Sequence, residues 1–193
     1  MSKIAVINFS GRPKGNCHNI AMIIKQAMTG CEITLKEMYF LSINPCGKCN
    51  YECFMKNEGC PYANDDIISI YNTICSSDLA IYIVPNYVEY PNANFFIFQE
   101  RGACFFLNNS TDLQEKYKAI DLADTYQQVK KKFVVVSNTG KENFKQVFKN
   151  LIKHNTNPDI LFLAASEYDR SAILGDIMES VQARQAVEDF VRG

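Results

Sequence analysis

The chain begins Ile4-Ala5-Val6-Ile7-Asn8-Phe9-Ser10-Gly11-Arg12-Pro13-Lys14-Gly15-Asn16. A continuous apolar run gives way to a loop holding two glycines and a proline. The loop opens into a segment in which Ile20, Ile23, Ile24, Ala27 and Met28 recur at helical spacing. A strand, a tight loop and a helix in this order put backbone N–H groups at a helix N-terminus, where a phosphate monoester can bind. The stretch lacks the GxxxxGK[ST] pattern of triphosphate loops and the GxGxxG of dinucleotide loops. What remains is a loop of the kind that receives the phosphate of FMN. The plain alternative is a tight connection in which Gly11 and Gly15 supply positive φ and Pro13 a fixed one.

Outward from this stretch, the apolar runs 4–7, 79–84, 133–136 and 160–163 are continuous, as in parallel strands covered on both faces. Cys31, Ile33 and Leu35 alternate with Glu32, Thr34 and Lys36, the period-two signature of a half-exposed edge strand. Helical stripes lie between these runs. Asn64, Asp65 and Asp66 introduce Ile67, Ile70, Tyr71, Ile74 and Cys75. Phe144, Val147, Phe148, Leu151 and Ile152 form another stripe, and positions from Leu174 through Ile177, Met178, Val181, Val187 and Phe190 to Val191 describe one long last helix. Five strands alternating with helices predict an α/β doubly wound parallel sheet in the order 2-1-3-4-5, with helices on both faces. In that order the binding crevice lies beside strand one, rimmed by the loops after strands one, three and four.

Length and composition bound the class. With 193 residues, 47% hydrophobic and 21% charged, the chain suits one domain spanning 1–193, with a cysteine-rich loop at 43–64 inserted after strand two. The formal charge is −1, and the lysine run 130–132, read as preceding a strand, is the only basic block. Nothing therefore suggests a nucleic-acid surface or a membrane partner, and without a leader-like segment the expected location is cytoplasmic. The stretch 108–132, polar with Tyr117 and Tyr126, is the least readable and is a candidate subunit contact. The aromatic group Phe95, Phe96, Phe98, Phe105 and Phe106 fits either an interface or the core.

Several motifs carry a family likeness. Ser10-Gly11-Arg12-Pro13-Lys14-Gly15-Asn16-Cys17 resembles a Gly-Ser-Pro-Arg-like loop followed by Asn and Thr or Ser, with Cys17 at the last place. Pro45 and Cys46 through Cys60 to Asp65 and Asp66 resemble a cysteine run closed by an Asp pair. Pro85-Asn86-Tyr87 resembles a Pro-x-Tyr loop, and Glu100-Arg101 stands where an Asp-Arg closes the next helix. By these residues, most clearly over 1–102, the chain resembles the flavodoxin-like NADPH-dependent FMN reductase family, which includes iron–sulfur flavoproteins and quinone reductases.

The resemblance implies non-covalent FMN. Its phosphate falls to Ser10, Arg12, Asn16, Cys17 and His18, with Pro85, Asn86, Tyr87, Val88 and Glu89 near the ring and Ser137, Asn138, Thr139 and Gly140 closing its far side. No catalytic side chain is implied, because the flavin carries the chemistry. NAD(P)H enters as a transient co-substrate, and a quinone, flavin, nitro or azo compound serves as small-molecule acceptor in a ping-pong cycle. The family likeness also implies a homodimer or homotetramer. His154, near a helix end, is assigned no function.

Cys46, Cys49, Cys53 and Cys60 are separated by two, three and six residues. They are candidate metal ligands for a [4Fe–4S] cluster, which uses four cysteines. Zinc, reduced thiols and a reversible disulfide stay open as readings of the same residues. A cluster beside FMN would make the protein a one-electron relay, and a thiol role would make it a non-enzymatic redox sensor.

Overall fold

The apolar runs become parallel strands β1 (Lys3–Asn8), β2 (Glu32–Glu37) and β3 (Leu79–Tyr87), then β5 (Lys130–Ser137) and β6 (Asp159–Ala164) after a two-residue strand β4 (Tyr90–Pro91). A computed structural model describes residues 1–55, 59–102, 105, 120–139, 142–153 and 158–193. Cys104, Phe106, Tyr117, Gly140 and His154 lie outside the described residues. The strands form a six-stranded sheet ordered β2-β1-β3-β5-β6, with β4 antiparallel on β3. The expected order 2-1-3-4-5 therefore needs correction. The chain reverses directly after β3 and pairs back on it, which adds a sixth strand that is not parallel.

Helices α1 (Asn16–Ala27), α2 (Ile67–Cys75), α3 (Ala93–Glu100), α4 (Ile120–Gln128), α5 (Glu142–Leu151) and α6 (Val181–Arg192) accompany the sheet. Side chains of β1 divide by parity between two cores. Ala5 and Ile7 join Phe9, Tyr82, Val84 and Phe133 under α2, α3 and α5, whereas Ile4 and Val6 join Ile81, Ile83 and Val134 under α1 and α6. The first core is aromatic: Phe9 meets Phe95 edge-on at 5.2 Å, and Tyr71 stacks on Phe98 at 4.6 Å. Phe95, Phe98 and Phe105 of the candidate interface group are buried there, leaving Phe96 partly exposed.

Two expectations change in detail. The long last helix is broken at Gly175, where φ is +80°, and again at Ser180, so that a 3₁₀ turn (Ile177–Glu179) precedes α6. Ser180 caps α6 by accepting from the Ala183 N–H at 3.3 Å. The lysine run does not precede β5 but begins it. Lys131 and Lys132 are buried and reach opposite layers: Lys131 Nζ donates to the Tyr126 and Val129 carbonyls at the C-terminal end of α4, and Lys132 Nζ to the Phe190 carbonyl of α6 at 2.6 Å. Each cation thus satisfies carbonyls at a helix C-terminus. Burial pushes the Lys131 ammonium down to about 8.

Candidate functional site

The loop after β1 is shaped by Asn8, a fully buried residue whose amide serves two neighbours. Its Oδ1 accepts from the Ser10 N–H at 3.0 Å, and its Nδ2 donates to Glu37 Oε1 at 3.1 Å. Ser10 Oγ accepts from the Arg12 N–H at 3.1 Å, so the Ser10 and Arg12 amides are engaged within the loop. Gly15 has φ +131°, and a Cβ there would meet nothing within 4 Å, because that side faces open space. Among the described residues no side chain caps α1, which leaves the first-turn N–H groups facing the mouth of the loop.

Asn16 and Cys17 play parts different from simple phosphate contacts. Asn16 Oδ1 accepts from the Ile177 N–H at 2.9 Å and its Nδ2 donates to the Ala172 carbonyl at 3.2 Å. Its amide thereby clamps the segment after β6 against the first loop. Gly175 of that segment packs so closely that a Cβ would lie 3.2 Å from Gly15 Cα. Burial pushes the Cys17 thiol up to about 12, with the Arg12 charge opposing in part, so Cys17 is a neutral thiol.

The second wall is the β3–β4 hairpin. Tyr87-Val88-Glu89-Tyr90 reverses with φ +52° at Val88 and +68° at Glu89, a type I′ pattern that favours Asn and Gly. A β-branched residue at positive φ stores backbone strain, and Val88 is 92% exposed, so no packing offsets it. Asn86, one residue before the turn, holds a buried Oδ1 with no hydrogen-bond partner among the described residues. The third wall is set by Ser137, whose Oγ donates to the Thr139 carbonyl at 2.6 Å, and by Asn138, whose Oδ1 accepts from the Ala172 N–H at 3.3 Å.

These walls bound an open cavity of about 220 Å³. Of the sequence-predicted residues it brings together Ser10, Arg12, Asn16, Cys17, Pro85, Asn86, Tyr87, Val88 and Asn138. A second cavity of about 240 Å³ shares Asn86, Val88 and Asn138 and adds Glu89 and Thr139. His18 and Ser137 line neither: the His18 ring turns to Glu37, Nδ1 to Oε1 2.9 Å. Sequence reasoning placed Lys14 and Gly15 in the loop without assigning them a contact, and missed Val136, Ala172 and Ile173. Ala172 arrives through a contact 156 residues apart in sequence, and the exposed apolar pair Ile173-Leu174 was the one local signal of this segment.

The residues fit a flavin mononucleotide. An uncapped helix start with Arg12 and Lys14 suits the phosphate, and the orphaned Asn86 Oδ1 suits an N–H donor. The arrangement of Cys46, Cys49, Cys53 and Cys60 gives no support to the expected iron–sulfur cluster. No group of three or more His, Cys, Asp or Glu is arranged to hold a metal among the described residues. Left-handed Tyr51 and two short 3₁₀ turns shape the segment that carries the cysteines. Cys49 Sγ donates to the Cys46 carbonyl at 3.1 Å and Cys46 Sγ to the Glu100 carbonyl at 3.6 Å, while Cys53 and Cys60 are buried together, with Cys46, Tyr62 and Ala63 packed against them.

What anchors this segment is Arg101, fully buried at the end of α3. Its Nη1 donates to Asp65 Oδ2 at 2.7 Å and to the Asn44 carbonyl, and its Nη2 donates to Asp65 Oδ1, the Tyr62 carbonyl and Cys60 Sγ. Glu100 Oε1 accepts from the Cys46 N–H at 2.8 Å. Burial pushes the Asp65 carboxyl up, but the Arg101 hydrogen bond, the Asn44 and Ile67 N–H groups and the Arg101 charge outweigh it and hold the group below its ordinary range.

No protein-family model matches the chain, and no curated protein matches it in sequence. Solved structures do match in shape. A Klebsiella pneumoniae protein assigned as a quinone reductase superimposes with a TM-score of 0.67 at 9% identity, over 100% of this chain and 84% of that one. RosB, solved with bound 8-demethyl-8-formylriboflavin-5'-phosphate, gives 0.64 at 12% identity over 100% and 77%. The NAD(P)H:quinone oxidoreductase of Methanothermobacter marburgensis gives 0.60 at 10% identity over 97% and 98%. The likeness is one of fold: this chain has the flavodoxin-like α/β architecture that these proteins share.

Proposed function

We propose that this chain is an FMN-dependent oxidoreductase that takes reducing equivalents from NAD(P)H and passes them to a small acceptor such as a quinone, flavin, nitro or azo compound. The observation that carries the reading is one crevice combining an uncapped helix start, two cations and a strained hairpin with an orphaned amide oxygen. Neighbours in fold that are named as quinone reductases and as a binder of a riboflavin phosphate support it. The bound flavin supplies a two-electron acceptor at its ring N5.

The protein's own residues bind and orient. Arg12, Ser10 Oγ and the first-turn amides of α1 hold the phosphate, and neutral Cys17 adds no competing negative charge there. Tyr87, Val88 and Asn86 hold the ring edge, while Asn138 and Thr139 close the far side. A single mouth serves donor and acceptor in turn, which gives ping-pong kinetics. In this reading the protein works in the cytoplasm, with neither nucleic acid nor membrane as partner. It assembles as a homodimer or homotetramer whose contacts cover the exposed Tyr87, Tyr90 and Phe96.

The test is reconstitution with FMN followed by steady-state oxidation of NADH or NADPH against a benzoquinone. Retention of a flavin spectrum and parallel double-reciprocal lines are the expected result. Failure to retain FMN, or intersecting lines, overturns the proposal.

A further inference from the structure

Behind the phosphate loop lies a hydrogen-bonded chain that ends on an imidazole. His18 Nδ1 lies 2.9 Å from Glu37 Oε1, and the same oxygen accepts from Asn8 Nδ2 at 3.1 Å. Asn8 Oδ1 then accepts from the Ser10 N–H at 3.0 Å, and Ser10 Oγ from the Arg12 N–H at 3.1 Å. These residues join three elements: β1 supplies Asn8, the end of β2 supplies Glu37, and the first turn of α1 supplies His18. Asn8 is fully buried, Ser10 is buried, and the Glu37 side chain is only 11% exposed, so the middle of the chain is screened from solvent while its ends at His18 and Arg12 reach the surface.

The logic rests on the chemistry of an amide. An asparagine presents a donor at one end and an acceptor at the other, and its two orientations are nearly equal in shape. An ionised carboxylate only accepts, so Glu37 selects the orientation that turns Nδ2 toward β2 and Oδ1 toward Ser10 N–H. With the amide reversed, an NH₂ group would face the Ser10 N–H, and the loop would have to move. His18 Nδ1 donates to the same carboxylate oxygen and holds it in place, as a charged acceptor holds a partner more firmly than a neutral one.

We infer that Glu37 and His18 are positioning residues that fix the phosphate-binding conformation of the 10–15 loop through the orientation of Asn8. The inference rests on the proposed FMN reading. It assigns a role to His18 different from direct phosphate contact, and it gives one to Glu37, which neither the motif nor the cavity lining points to.

The experiment is a pair of titrations followed by quenching of flavin fluorescence, with FMN and with riboflavin, which lacks the phosphate. Glu37→Ala is expected to weaken FMN about tenfold, the fold-change of a lost charge-assisted hydrogen bond, while riboflavin changes less than twofold. Glu37→Gln keeps an acceptor oxygen and restores most FMN affinity. His18→Ala, at a side chain 30% exposed, keeps the fold and shows the same selective loss at about threefold. The ratio of FMN to riboflavin affinity is the informative quantity, because a merely structural role lowers both together. Equal losses for the two flavins, or no loss, overturn the inference while FMN binding by the unsubstituted protein stands. An unsubstituted protein that holds neither flavin overturns the proposed function and this inference with it.

Discussion

Replacing Arg101 by Met removes the cation from a buried ion pair while keeping most of the side-chain volume. Arg101 is wholly buried, and the Asp65 side chain is 5% exposed, so the carboxylate left behind has little access to water. Breaking one partner of such a pair costs about 3–5 kcal/mol, because a charge stays in a low-dielectric site. The Asn44 and Ile67 N–H groups still reach Asp65 at 2.9 and 3.1 Å, which favours the lower end of that range. The carbonyls of Asn44 and Tyr62 lose a donor as well, which pushes the other way. For a chain of this length the loss corresponds to a fall in melting temperature of roughly 6–20 °C. Urea unfolding of the wild type, Arg101→Met, Asp65→Asn and the double variant measures the coupling directly. Asp65→Asn removes the charge that Arg101→Met strands, so the double variant should recover about 2 kcal/mol over the sum of the singles. The acid limb adds a sign. Asp65 is depressed in the folded protein, so its contribution is present above the unfolded carboxyl range and is lost as pH falls through its lower folded value. Without Arg101, burial raises the group instead, and the variant's deficit should shrink on acidification. An Arg101→Met protein within 1 kcal/mol of wild type, or strict additivity in the cycle, would refute this account of the segment's anchor.

Other consequences are equally open to measurement. Val88→Asn, at φ +52° and almost fully exposed, should raise stability by about 1 kcal/mol in urea unfolding by relieving the turn. Gly175→Ala brings both a φ of +80° and a Cβ 3.2 Å from Gly15 Cα, and should lower FMN affinity severalfold in a fluorescence titration. Gly30→Ala, at φ +90° with nothing within 4 Å, should lower stability alone. Cys17, with its thiol pushed up to about 12, should be spared by iodoacetamide at pH 8 when peptides are mapped by mass spectrometry. Because that value exceeds the unfolded value of 9.0, its contribution to stability is whole below about pH 9 and declines toward pH 12.

Most of the sheet was legible because its strands are buried on both faces and read as unbroken apolar runs, whereas the edge strand β2 alternates. The first loop was legible from Gly15 and the helical stripe that follows it. The hairpin was not, since Tyr87-Val88-Glu89-Tyr90 contains none of the Asn or Gly that mark a type I′ turn, and its strain is visible only in the backbone. The break at Gly175 was masked by apolar residues that continue the helical period on either side of it. The cysteine spacing suggested convergence, and Cys46, Cys53 and Cys60 do pack together, but spacing does not record that Cys46 and Cys49 turn their thiols onto backbone carbonyls. Nor does local sequence show that His18 faces Glu37, a pairing created when β1 and β2 lie side by side.

The two buried lysines of β5 bear on how that strand finds its place. A strand that is apolar on both faces carries little information about its own register, since a one-residue slip exchanges one greasy surface for another. Phe133-Val134-Val135-Val136 is such a strand. Lys131 and Lys132 break the degeneracy, because each must meet helix-end carbonyls on its own side of the sheet. A slip by one residue would send both ammonium groups into the wrong layer, away from their acceptors. Polar residues at the start of the strand thus discriminate between alignments that its hydrophobic residues would tolerate, and the alignment they select sets Val136, Ser137 and Asn138 at the far wall of the crevice.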